Sequence, residues 1–200
     1  QSNIKKKKKK YDICLISNTT WMRELTGGDP SFAYGYVELV KYSIRFAREK
    51  KLKFIFCLKY SNGPTAIQDN ELSIFKKNLS PEYFNYLKKN STYKKKEKYL
   101  SYKVAFNSNV VVGVTSTILG ECLSYGKKVF ACNFSNLEYC DFPIKGICFS
   151  KDKNYNNFSK QLNKILYCSD DYYQKSLEKK KNYIVNYKKN VNPIIIIQDY

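Results

Sequence analysis

The sequence predicts an α/β fold built on a mostly parallel sheet, and three observations carry that expectation. Residues 108–131, SNVVVGVTSTILGECLSYGKKVFA, read as strand, glycine-containing turn, helix, glycine turn and strand. Residues 11–58 read as a second strand–helix–strand unit upstream. The strands are continuous apolar runs, such as YDICLIS and NVVVG, rather than alternating ones, as expected where helices cover both faces of a sheet. Two such units in series describe a Rossmann-like three-layer domain with a right-handed crossover.

Taken in order, residues 1–10 form a basic linker with six consecutive lysines at 5–10, suited to a hinge from a preceding domain. The chain opens on Gln rather than Met, which suits a piece of a longer protein. Residues 11–190 form the domain. Its first strand spans 11–17. A loop over 18–31 follows, with Arg23, Gly27 and Gly28, at the strand end where open α/β sheets bind ligands. An amphipathic helix spans 36–50, with Val37, Val40, Ile44 and Ala47 on one stripe. The second strand lies within 52–58, and Lys59 begins the loop after it. Short helices are expected at 71–78 and 81–89, the latter opened by Ser80-Pro81-Glu82. A basic loop covers 90–98, an extended segment lies near 99–100, and a short helix spans 101–107.

After the key unit, residues 133–143 are irregular and border whatever binds at that edge. A last strand is expected at 146–149 and a helix at 155–166, with Phe158, Leu162 and Ile165 inward. Ser169-Asp170 caps a longer helix with Tyr173, Leu177 and Ile184 inward, ended by Pro193. Residues 191–200 are an apolar tail, with Ile at 194–197, packing on this domain or on a missing one.

Composition narrows the function classes. The formal charge is +19, from 36 basic against 17 acidic side chains, which suits phosphorylated substrates, nucleic acid or an anionic membrane surface. The excess is nearly all Lys and spreads along the whole chain, so a solvated surface explains it as well. The seven cysteines show no CxxC spacing, and about four or five of them sit in apolar strand or helix patterns, as reduced core residues of a cytosolic protein do. There is no His, which removes a His-based zinc site or His general base from this piece. No apolar run approaches the ~18 residues that a membrane span needs. The expected location is the cytoplasm, with peripheral contact at the inner face of the membrane.

The chemistry concentrates at the turn. Thr115, Ser116 and Thr117 bring three hydroxyls to a helix N-terminus, whose free N–H groups also suit an anion. A Ser or Thr there is also the ordinary helix cap. Glu121, one helical turn further in, is an acceptor suited to a ribose hydroxyl. Gly126 closes the helix, with Lys127 and Lys128 at its carboxyl end, where cations suit the dipole.

YDICLIS and SNVVVGVTSTILGECLSYGKKVFACN resemble segments in the carboxyl-terminal half of GT-B glycosyltransferases of bacterial surface polysaccharide synthesis. More distantly they resemble nucleotide-sugar 2-epimerases and the polyol-phosphate transferases of teichoic-acid synthesis. The specific part covers about 30 residues of the chain; the alternation of elements covers most of it. The resemblance implies one half of a GT-B fold that binds a nucleotide-sugar donor as substrate, with no other cofactor and no metal. It implies donor phosphates at Thr115, Ser116 and Thr117, ribose at Glu121, and close-approach and turn glycines at Gly113 and Gly126. Arg23, Gly27, Gly28 and Lys59 would face the cleft. The acceptor, a glycan or lipid-linked glycan, and the catalytic base would belong largely to an amino-terminal GT-B domain missing from this chain. The key segment departs from many such enzymes in having no His or well-placed Arg, so Arg23 or Lys59 would have to neutralise the phosphates.

Three alternatives stand beside this reading. One is a nucleotide-sugar 2-epimerase-like enzyme, weakened by the absent His. Another is a basic nucleic-acid-binding module using Lys with Tyr and Phe. The third is a structural domain that keeps the fold without activity.

Overall fold

A computed structural model describes residues 9–18, 30–59 and 66–177. Five strands form one all-parallel sheet: β1 (Tyr11–Ile16), β2 (Phe54–Cys57), β3 (Ser108–Gly113), β4 (Lys128–Cys132) and β5 (Phe149–Ser150). Their spatial order is β2-β1-β3-β4-β5. The order reverses between β1 and β3, and ligands of open α/β sheets bind beside such a reversal, at the carboxyl ends of the strands.

The helices are α1 (Pro30–Glu49), α2 (Ala66–Asn78), α3 (Pro81–Lys89), α4 (Leu100–Phe106), α5 (Thr117–Ser124), α6 (Tyr155–Tyr167) and α7 (Asp170–Lys175). Alternation along the strands sends side chains to two helical layers. Phe56 meets Phe75 of α2, and Phe130 stacks on Phe158 of α6. Tyr42 of α1 packs edge-on against Phe134 and tilts against Phe158 on that same face. Cys14 of β1 turns to the opposite face, toward Cys122 of α5. The apolar runs of β1, β3 and β4 are buried on both sides, as their unbroken hydrophobicity predicts. All seven cysteines are free thiols and six are buried. Burial holds the thiols of Cys14 and Cys132 well above their ordinary pKa and pushes that of Cys122 up to about 12, so these groups act as small core hydrophobes.

Several boundaries differ from the sequence expectation. Helix α1 starts at Pro30, six residues before 36. Proline suits a first helical position, and Gly35 inside the helix serves packing rather than ending it. A Cβ on Gly35 would stand 2.6 Å from the backbone carbon of Phe134 and the nitrogen of Ser135. Residues 99–100 are not extended: Tyr99 takes a left-handed conformation and Leu100 opens α4. The last strand lies at Phe149–Ser150 rather than 146–149, because its partners are Ala131 and Cys132 and Gly146 turns the chain with φ +113. Helix α7 closes at Lys175, shorter than its apolar pattern predicts. Ile184, Pro193 and the 191–200 tail lie outside the described residues, as do residues 1–8 of the linker.

Candidate functional site

A pocket of about 400 Å³ opens at the carboxyl end of the sheet, between the segments that follow β3 and β4. Thr115, Ser116, Thr117, Gly120 and Glu121 form one wall; Tyr139, Asp141, Phe142 and Pro143 form the other. The structure thus brings all four polar residues singled out in the sequence to one cavity. Thr115 and Thr117 are exposed and Ser116 is half-buried, so none of the three hydroxyls is spent in the core.

Ser116 occupies the N-cap of α5 with extended backbone, yet its side chain makes no cap hydrogen bond. Capping serines elsewhere in the chain behave differently: Ser80 accepts from the Tyr83 N–H and Ser169 from the Tyr172 N–H. The first turn of α5 therefore keeps donors that no side chain caps, facing a cavity.

Glu121 Oε2 is buried without a hydrogen-bond partner. The phenol of Tyr102 on α4 neighbours this carboxylate; burial first, then Glu121, raises the Tyr102 pKa. A buried acceptor with spare capacity beside a cavity is chemically suited to a ligand hydroxyl.

The opposite wall is built from one buried asparagine. Asn133, with no exposure, follows β4 directly. Its Oδ1 accepts from Ser135 N and Oγ at 3.1 and 2.6 Å, and its Nδ2 donates to Leu137 O and Asp141 Oδ1 at 2.8 and 2.6 Å. Gly35 lets α1 close onto the backbone at 134–135, so helix and asparagine together aim residues 139–143 at the pocket. Asp141 Oδ2 also lies 2.7 Å from Lys145 Nζ and 2.8 Å from Lys151 Nζ. Burial works to raise the Asp141 pKa, but these two lysines and Asn133 outweigh it and hold it well below the ordinary value.

The lining therefore holds two carboxylates and no lysine or arginine. Anion binding here would rest on N–H groups and hydroxyls, with Lys145 and Lys151 behind Asp141. Lys59 follows β2 on the same edge, is exposed, and does not line the pocket; two strands, β1 and β3, stand between β2 and β4. Arg23, Gly27 and Gly28 lie outside the described residues. At Gly113 a Cβ would meet Leu119 Cδ1 of α5 at 3.0 Å, so its smallness serves helix–strand packing. Gly126 has φ +77 and closes α5 as expected.

Lys127 and Lys128 do serve helix ends, but not that of α5. Lys127 Nζ donates to Phe106 O and Ser108 O at the end of α4, and Lys128 Nζ to Leu166 O and Cys168 O at the end of α6. Sequence reasoning placed the 133–143 segment at the ligand edge but missed Gly120, Tyr139, Asp141, Phe142 and Pro143 individually. Their only local signal is their position after a buried parallel strand.

Among the described residues no cluster of three or more His, Cys, Asp or Glu is arranged to hold a metal ion, and no helix is long and apolar enough to cross a membrane. No family model, curated protein or solved structure matches the chain.

Proposed function

We propose that this domain binds the nucleotide-sugar donor of a glycosyltransferase. The observation that carries the reading is the single cavity shared by the uncapped hydroxyl turn and by Glu121 with its spare buried oxygen. The donor phosphates sit at the head of α5, where Thr115, Ser116 and Thr117 donate hydrogen bonds. The ribose hydroxyls donate to Glu121. Phe142, Pro143 and the exposed ring of Tyr139 offer an apolar face to the base.

In the reaction, the hydroxyl of a glycan or lipid-linked acceptor attacks the anomeric carbon as the bond to the donor phosphate breaks. Negative charge grows on that phosphate, and preorganised N–H and O–H donors stabilise it. The base that takes the acceptor proton lies outside the pocket described.

Calorimetric titration with UDP, CMP and CDP tests the reading. One of these nucleotides binds, and Glu121→Gln weakens it by about tenfold, as expected for one lost hydrogen bond to a charged group. Its 2′-deoxy analogue weakens similarly. Absence of binding to every nucleotide, with the protein folded by circular dichroism, ends the donor-binding assignment.

A further inference from the structure

The rim opposite the pocket carries a second surface. The strands are parallel, so residues that precede β1 and β2 lie at the amino ends of the sheet, and the pocket lies at the carboxyl ends. Lys9 and Lys10 lead into β1; Lys50, Lys51 and Lys53 lead into β2, its hydrogen-bonded neighbour. All five are exposed. The backbone ties the two groups together, since Asp12 N donates to Lys53 O at 2.8 Å.

These lysines differ from the paired cations elsewhere on the fold. Lys41, Arg45, Arg48, Lys103, Lys145 and Lys151 each hold a carboxylate. Among the described residues none of the five rim lysines does. Two acids stand beside them and both are occupied: Asp12 Oδ2 accepts from Lys53 N and its Oδ1 from Asn109 Nδ2, while Glu49, next to Lys50, accepts from Arg45 Nε and from the Tyr155 phenol. Five uncompensated like charges on adjacent loops repel one another, and an anionic partner relieves that repulsion.

We infer that this rim docks on a bilayer surface rich in anionic lipid, leaving the pocket turned away from the membrane. The charges are all lysine, compact point charges that suit a diffuse negative plane rather than bidentate reading of bases. The aromatic rings described at this edge are already engaged: Tyr11 is half-buried with Lys10 over its ring at 5.4 Å, and Phe106 and Tyr125 pack edge-on against each other. The sequence continues the charge upstream, with lysine at every position from 5 to 8.

Co-sedimentation of the full chain with phosphatidylcholine vesicles, with and without one-third phosphatidylserine, tests the inference and needs no nucleotide ligand. The protein binds the anionic vesicles only, and binding falls as salt rises. Lys50→Gln/Lys51→Gln/Lys53→Gln weakens binding on the order of a hundredfold, at about fivefold per lysine. Lys95→Gln/Lys96→Gln/Lys153→Gln removes the same charge from exposed loops at other sites and leaves binding within about threefold, because surface attraction falls off within a Debye length. Equal losses in the two triple variants, no binding to anionic vesicles, or tighter rim-dependent binding to polyuridine at the same ionic strength would each overturn it.

Discussion

Ser17 Oγ stands 2.7 and 2.9 Å from the two carboxyl oxygens of Glu71, a side chain with no exposure. The pair lies at the carboxyl end of β1. Tyr36 is its neighbour from α1, the phenol accepting from Asn18 N and donating to Ile16 O.

Burial raises the Glu71 pKa from 4.5 to about 7, against the opposing influence of Ser17 and then Tyr36. The sign follows directly. Between pH 4.5 and 7 the folded state holds a proton that the unfolded state releases, so stability falls as pH rises through that window. The stabilisation is complete below pH 4.5 and is lost by about pH 7, with a total on the order of 3 kcal/mol. Urea denaturation from pH 5 to pH 8 should show the midpoint falling, and Glu71→Gln should flatten the slope. A wild-type midpoint that rises over this window would contradict the assignment.

The uncapped N-terminus of α5 separates ligand binding from folding. Ser80 and Ser169 make cap hydrogen bonds, so Ser80→Ala and Ser169→Ala each cost roughly 1 kcal/mol of stability. Ser116 makes none, so Ser116→Ala costs a few tenths of a kcal/mol at most. If the proposed donor site holds, the order inverts for nucleotide affinity: Ser116→Ala weakens it several-fold and the other two leave it unchanged. Chemical denaturation and titration on the same three variants read both orders.

The far wall of the pocket depends on two residues that never touch the cavity. Gly35→Ala drives a methyl into the backbone at 134–135 and should cost about 1–3 kcal/mol, as overpacking does. Asn133→Ala removes donors and acceptors that four neighbouring groups use, at about 2 kcal/mol. Gly126→Ala strains a left-handed turn at on the order of 1 kcal/mol, but nothing stands near its Cβ position. Thermal melts rank the three for stability. Amide hydrogen exchange distinguishes them further: Gly35→Ala and Asn133→Ala lower protection across 133–143, and Gly126→Ala does not.

These contrasts explain what could be read from the chain alone. The unit at 108–131 was legible because its signals are local: an apolar run, a hydroxyl turn, and Gly126 where φ must be positive. The parallel sheet was legible because β1, β3 and β4 lack alternation. The start of α1 was not, since Gly35 reads locally as a breaker and is explained by a contact about 100 residues away. The position of β5 was equally hidden, because two residues of β4 select it. Tyr139, Asp141 and Pro143 carry no motif, and only the Asn133 network brings them to the pocket.

Lys127 and Lys128 supply the last prediction, because their true partners change what their loss should do. Lys128 keeps only 8% of its side chain exposed, yet its ammonium group holds the Leu166 and Cys168 carbonyls and lies 3.6 Å from Asp170. Lys128→Met fits the space but abandons those carbonyls, so it should cost about 2–3 kcal/mol and loosen the α6–α7 junction first. Lys127 is set differently: burial, then the nearby Lys9, lowers its pKa from 10.5 to about 8. Between pH 8 and 10.5 the unfolded state binds the extra proton, so this residue makes stability rise with pH over that window. Tyrosines and buried thiols with raised pKa values act in the opposite direction near its upper end. The measurement is therefore the difference between wild type and Lys127→Met, whose stability gap should narrow or reverse in sign from pH 10 down to pH 8. A gap independent of pH would mean that Lys127 stays charged throughout, held by the Phe106 and Ser108 carbonyls alone.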